Sequence, residues 1–257
     1  MRWIRSACVI ALIVATFAVK SSASAETPDV SKSSQLMLVL TDTWDAAQAV
    51  MLLFTRDGKG WHKDAEFPAV VGSKGLAWAY DQLPDSDGAR TKKEGDRKGP
   101  AGILRLRKAM GYEAVPPSGT IFPYEQIQEG MHCVDDQTST YYNRIVSEME
   151  LPGPPKELWK SSEIMKRNDI LYKWLMVVDY NVQTPKPGAG SCIFIHVWRT
   201  PEKGTAGCTA MEETNVTRLM AWLKSDRNPI LVQLPKQEYQ KLWKDWGLPS
   251  PELLIAH

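Results

Sequence analysis

Along most of the chain beyond residue 35, apolar positions either alternate with polar ones or gather in short blocks. Leu36 to Leu40 and Val50 to Thr55 are two β-rich blocks, separated by a polar stretch around Asp42 to Asp45. Arg56-Asp-Gly-Lys-Gly60 is a turn signal, and Trp61 opens an extended segment running through Phe67 to Val71. Two or three antiparallel strands meeting at tight turns are predicted here, closed by Gly72 to Gly75. The charged, glycine-rich run Lys92 to Gly102 leads into Ile103-Leu-Arg-Leu-Arg107, which reads as a solvated loop feeding an edge strand. Leu151-Pro-Gly-Pro-Pro155 interrupts regular structure, and Ser161 to Lys166 then reads as a short capped helix. Tyr172 to Tyr180 is an apolar strand. A Thr184-Pro-Lys-Pro-Gly188 connection carries it into a buried strand from Gly190 to Arg199. In that strand Cys192, Phe194, His196 and Trp198 share one face, while Ile193, Ile195 and Val197 take the other. Helical spacing comes late, at Val216, Leu219, Met220 and Leu223. A strand over Pro229 to Leu234 follows, then an amphipathic helix with Tyr239, Leu242, Trp243 and Trp246, stopped by Gly247 and Pro249. The pattern predicts one mainly β domain with a few short helices, and it contains no internal repeat.

The formal net charge is +1, with acids and bases interspersed, so nothing points to nucleic acid or an anionic surface as partner. Arg2 and Arg5 precede an apolar run from Cys8 to Val19, and Ala23-Ser24-Ala25 offers a small-residue cleavage site. Residues 1–25 therefore read as a secretory signal peptide, since the run is too short for a permanent anchor. The expected product is a single domain over 26–257, exported to the periplasm or another extracytoplasmic part of the envelope, with no transmembrane segment. Three cysteines remain in it, Cys133, Cys192 and Cys208, and an odd count leaves at least one thiol free. No Cys-x-x-Cys or His-x-x-x-His spacing suggests zinc, and Asp135-Asp136 falls short of a calcium loop, so no metal and no cofactor is expected. His132 has no supporting spacing and reads as structural or exposed.

Two reactive side chains stand out. His196 is the imidazole of the Gly190–Arg199 strand. Twelve positions later Cys208 follows Gly207 in the turn Thr205-Ala-Gly-Cys208, which reads as running into a helix whose N-terminal amides favour a nearby thiolate. A strand, a tight connection and a return bring such a pair into reach. A thiol beside an imidazole is the minimum kit for nucleophilic acyl transfer. The plain alternative is a buried structural cysteine and a core histidine.

The segment resembles the active-site motif of the L,D-transpeptidase catalytic domain (YkuD) family, in which a histidine strand precedes a Ser/Thr-x-Gly-Cys turn. Ile195-His196 and Thr205-Ala206-Gly207-Cys208 match those two parts. The chain departs from the commonest pattern in a shorter loop, in Ala206 where a second histidine is frequent, and in Thr209-Ala210-Met211 in place of Ile-Arg-Met. In these features it is similar to a divergent proteobacterial branch. Lys92-x-Glu94-Gly-Asp96-x-x-x-Pro100-Ala-Gly102 and Asp135-Asp136…Ser139-x-x-Tyr142-Asn143 match that branch as well.

The resemblance implies an L,D-transpeptidase-like β-sandwich or barrel acting on peptidoglycan stem peptides. It makes Cys208 the nucleophile and His196 the general base, with the backbone N–H groups of Gly207 and Cys208 holding the oxyanion. If a disulfide forms, it makes Cys133–Cys192 the pair. Lys93, Glu94, Asp96, Arg97, Tyr142, Asn143, Trp198, Arg199 and Thr205 become candidate walls of the substrate cleft. The implied reaction forms L,D cross-links through a Cys208 thioester. An L,D-carboxypeptidase or cross-link hydrolase uses the same pair, and a non-catalytic envelope-binding module with a structural Cys208 is the third reading.

Overall fold

The computed structural model describes residues 27–82 and 90–255, so the expected leader at 1–25 lies outside the described residues. The chain starts with β1 (Gln35–Thr41), β2 (Gln48–Asp57) and β3 (Gly60–Val70). β1 is buried over its whole length, as its unbroken apolar run requires. The predicted turn joins β2 to β3: Asp57 and Gly60 are paired, and the Asp57 carboxylate accepts the Lys59 N–H at 2.7 Å. Then come β4 (Leu76–Trp78), β5 (Gly99–Gly111), β6 (Tyr124–Gln126), β7 (Met131–Val134) and β8 (Ile145–Ser147). A one-turn α1 (Pro155–Leu158) precedes β9 (Ser162–Ile164), β10 (Trp174–Val178), β11 (Phe194–Val197) and β12 (Thr209–Met211). The C-terminal part is α2 (Glu213–Trp222), β13 (Ile230–Pro235), α3 (Lys236–Leu242) and α4 (Glu252–Ile255). Among the described residues no helix is long and apolar enough to cross a membrane.

Eight strands close into a ring in the order β10-β11-β12-β3-β2-β1-β13-β5, and β5 pairs back onto β10. Two neighbours in the ring are parallel, β1 with β13 and β11 with β12. Closure brings Gly111 opposite Trp174, where a Cβ on Gly111 would meet the indole at 2.5 Å. The barrel interior holds the main apolar core, and α2 packs over β10 and β11 through Val216, Leu219 and Met220, with Leu223 buried just past its end. The mainly β fold is the one the apolar pattern and the family resemblance predict.

Three expectations need correction. The strand at Ile103–Arg107 is not an edge: it is the middle of β5, flanked by β13 and β10, with β4 and β6 added alongside. Its alternation with arginine reflects only the outward half, because Gly99 to Leu104 is buried throughout. Ser161–Lys166 is not a helix. It supplies β9, whose Glu163 pairs with Cys133, since one helical turn cannot hold itself together while an open edge of β7 offers a ladder. The turn after Cys208 does not run straight into a helix: β12 intervenes, and α2 starts only at Glu213.

β7, β8 and β9 form a separate three-stranded sheet. A disulfide between Cys133 on β7 and Cys192 just before β11 ties it to the barrel, and Cys208 is the free cysteine. A second apolar cluster fills the gap between sheet and barrel, and it contains Tyr172, Cys192, Phe194 and Cys208. The odd and even faces of β11 and its lead-in thus serve two cores, the odd one inside the barrel and the even one beneath the small sheet.

Candidate active site

The parallel register of β11 and β12 sets the geometry. Ile195 pairs with Thr209 and His196 with Ala210, so Cys208 lies level with Phe194, two residues or roughly 7 Å along the strand from His196. The turn before it is clamped at both ends. Thr205 N–H donates to Val71 O at 2.9 Å, and Ser73 N–H donates to Thr205 O at 2.8 Å. Within the turn Thr205 Oγ1 accepts the Gly207 N–H at 3.0 Å and donates to Cys208 O at 2.6 Å. Gly207 adopts φ +156°, with the Lys98 carbonyl 3.0 Å from where a Cβ would stand, so only glycine fits the approach.

The Cys208 thiol is buried and fully engaged with backbone. It donates to Cys192 O at 3.3 Å and accepts the Phe194 N–H at 3.3 Å, so strand amide rather than helix amide reaches the sulfur. The carbonyl that holds it belongs to a residue in an unusual conformation, since Cys192 has φ +54°. Two restraints keep it there: the disulfide, and Asn143, whose Oδ1 accepts the Cys192 N–H at 2.9 Å. The Asn143 amide also donates to Tyr180 O at 3.0 Å and Asn181 O at 2.5 Å. Asn143→Ala leaves three buried backbone groups without partners and is expected to cost ~2–4 kcal/mol, read from the denaturant midpoint. A loss under about 0.5 kcal/mol contradicts this bracing role.

His196 is buried against the edge of the Tyr172 ring, 5.3 Å between centroids. Its Nδ1 lies 2.7 Å from Val197 O, which only accepts, so Nδ1 carries the proton and Nε2 keeps its lone pair. Burial pushes the imidazole down to about 4, and it pushes the Cys208 thiol well up, with the Glu163 carboxylate adding to the rise. The resting pair is therefore thiol and neutral imidazole, not thiolate and imidazolium. The unfolded imidazole titrates near 6.5, so between that value and about 4 the unfolded chain binds the extra proton. This contribution to stability is complete above pH 6.5 and is lost as pH falls toward 4. Wild type is expected to lose ~1–3 kcal/mol more than His196→Gln between pH 7 and pH 4.5 in denaturant titrations. Equal losses contradict a neutral buried His196.

Both side chains line one cleft of about 440 Å³, with Glu163, Arg167, Tyr172, Trp198, Arg199 and Thr205 among its walls. The L,D-transpeptidase catalytic domain (YkuD) family matches the chain over residues 43–232. The chain belongs to that family. No curated protein matches it. Among solved structures it is similar to Bdellovibrio bacteriovorus Bd1075, with 15% identity and a TM-score of 0.41, covering 86% of this chain and 57% of that one. It is also similar to the helical cell shape determining protein Pgp2 from Campylobacter jejuni, with 16% identity and a TM-score of 0.39, covering 79% and 48% respectively. The chain thus spans about half the length of these structures.

In this YkuD domain the predicted site residues fall into two groups. Cys208, His196, Thr205, Trp198 and Arg199 come together at the cleft. Glu94, Asp96, Tyr142 and Asn143 stand behind it and spend their polar atoms on the protein itself. Tyr142 Oη donates to Glu94 at 2.6 Å, Ser191 Oγ donates to the same carboxylate oxygen at 2.7 Å, and Gly190 N–H donates to Tyr142 Oη at 3.2 Å. Asp96 accepts from Lys92 Nζ and from the Lys93 and Lys98 amides, each at 2.8 Å. Glu94, Tyr142 and Asn143 brace the segment 190–192 that leads into β11, and Asp96 orders the loop over 92–98. Gly207 N–H, expected at the oxyanion, is engaged by Thr205. His132 sits in the small sheet, with Nε2 2.7 Å from Glu148 and Nδ1 3.0 Å from Ser162 Oγ. Sequence reasoning missed Glu163, Arg167 and Tyr172. Glu163 was hidden in a segment with a helix-cap signature, and its partner Tyr172 comes from the lead-in to another strand.

Proposed function

We propose that this chain is an exported cysteine acyltransferase that works on peptidoglycan stem peptides and forms L,D cross-links. The observation that carries this reading is the cleft shared by the His196 imidazole, with Nε2 unprotonated, and the Cys208 thiol. As the sulfur attacks the carbonyl at the third, L-configured centre of a tetrapeptide stem, its proton passes to Nε2. The Val197 carbonyl steadies the imidazolium so formed through Nδ1–H. The imidazolium then gives the proton to the departing amine of the terminal D-residue, leaving a thioester on Cys208. With the Gly207 N–H held by Thr205, the Cys208 N–H is the backbone donor assigned to the oxyanion. A side-chain amine from a neighbouring stem attacks the thioester to give the cross-link.

Export rests on the leader-like residues 1–25, with the catalytic domain over 26–257. Arg199 and Lys203 give the cleft cations that suit the carboxylates of a stem peptide, while Arg167 is paired with Asp169. Water in place of the amine yields an L,D-carboxypeptidase or cross-link hydrolase from the same pair. Incubation with purified tetrapeptide muropeptides separates the outcomes: cross-linked dimers are expected, and trimmed stems alone overturn the transferase reading.

A further inference from the structure

Glu163 is the one acid among the described residues lining the cleft, and its position is costly for the first half of the reaction. It reaches the cleft from β9, half-buried. Tyr172 Oη donates to its Oε2, while Oε1 has no hydrogen-bond partner among the described residues. The Tyr172 ring packs edge-on against both Phe194, at 5.5 Å, and His196, at 5.3 Å, which fixes the hydroxyl that holds the carboxylate in the cleft shared with His196 and Cys208. Its negative charge opposes loss of the thiol proton, and after burial it is the largest cause holding that proton in place. A residue needed only to accept the Tyr172 hydrogen bond serves as well uncharged. Once the sulfur is acylated the penalty disappears, because a neutral thioester is indifferent to a nearby carboxylate. An incoming ammonium, by contrast, needs one. Of the other charged walls, Arg167 is spent on a bidentate pair with Asp169, and Arg199 and Lys203 repel it.

We propose that Glu163 is the docking and deprotonation site for the acyl-acceptor amine, an inference that rests on the thioester reading above. The ammonium pairs with Oε1 and gives it one proton. The freed lone pair attacks the thioester carbonyl, the C–N bond forms and the C–S bond breaks. The second proton on nitrogen passes through His196 to the departing sulfur, and Glu163 returns its own proton to water. Burial raises the affinity of this carboxyl for protons, which favours the first transfer.

The test compares wild type with Glu163→Gln, which still accepts from Tyr172. Cys208 is acylated with a tetrapeptide muropeptide, then chased with a tripeptide stem bearing an alkylammonium or with hydroxylamine, which is uncharged at neutral pH. Mass spectrometry reads aminolysis against hydrolysis. In the variant, acylation is expected not to slow. The aminolysis-to-hydrolysis ratio is expected to fall about tenfold to a hundredfold for the alkylammonium and to stay within about twofold for hydroxylamine. An unchanged alkylammonium ratio overturns the assignment, and so does a parallel loss of acylation and of transfer to both acceptors, the mark of a merely structural role. A wild type that acylates but never transfers to amines removes the acceptor site and leaves the thioester intact; one that never acylates removes both.

Discussion

Cys208→Ala is expected to lower turnover of stem peptides by at least about a thousandfold while the barrel remains folded. The proposed chemistry depends on one bond, between sulfur and the acyl carbon, and no neighbouring group replaces it. Serine and threonine hydroxyls nearby are already committed: Thr205 Oγ1 bridges Gly207 and Cys208, and Ser191 Oγ is bonded to Glu94. The structural loss is small by comparison. The sulfur contributes two weak hydrogen bonds and modest packing, so the stability change is expected near ~1 kcal/mol. Rates of muropeptide conversion, read beside the denaturant midpoint, check both halves. Residual turnover within tenfold of wild type removes Cys208 from the mechanism, and an unfolded variant makes the thiol a packing group.

Removing the disulfide is expected to have the second largest effect, and to act on both stability and chemistry. Cys133 and Cys192 close a loop with a sequence separation of 59, for which the loop-entropy relation gives about 4 kcal/mol. The chemical effect follows from where Cys192 lies. Its carbonyl accepts the Cys208 S–H, and its positive φ is held by the bridge and by Asn143. In Cys133→Ala/Cys192→Ala only Asn143 still restrains that backbone, and relaxation toward negative φ swings the carbonyl off the thiol and loosens the position of the sulfur. Acylation of Cys208 by a carbapenem is therefore expected to slow by about tenfold or more at a temperature where the variant is folded. A variant that loses stability but acylates at the wild-type rate limits the bridge to a structural role.

Much of the barrel was legible in the chain because its strands announce themselves locally. The β2–β3 hairpin follows from Asp57-Gly58-Lys59-Gly60, and the two faces of β11 follow from alternation over Phe194 to Val197; the strand is shorter than the predicted Gly190–Arg199, because Cys192 at φ +54° stands outside it. What was not legible depends on distant partners. Ser161 to Lys166 carries a helix-cap signature, yet the Ser162 hydroxyl bonds to His132 on the neighbouring β7, a partner that only the fold supplies, as well as to nearby Trp159. Thr209 to Met211 is too short to declare itself a strand, and it becomes one because β11 lies alongside in parallel. That His196 and Cys208 share one cleft was legible through the family motif. Glu163 was not, because nothing local distinguishes it from a solvated acid until Tyr172 is brought against it. Glu94, Tyr142 and Asn143 could be singled out but not seen as a frame, since their partners, the Glu94 carboxylate, the Ser191 hydroxyl and the Tyr180 carbonyl, lie 37 to 97 residues away.

The most direct measurement is the mass of the protein after brief incubation with a tetrapeptide stem, followed by peptide mapping. The account predicts a covalent adduct equal to the donor minus its terminal D-residue, carried by Cys208, formed far more slowly in His196→Gln. No adduct on turning over substrate, or one on any other residue, contradicts it.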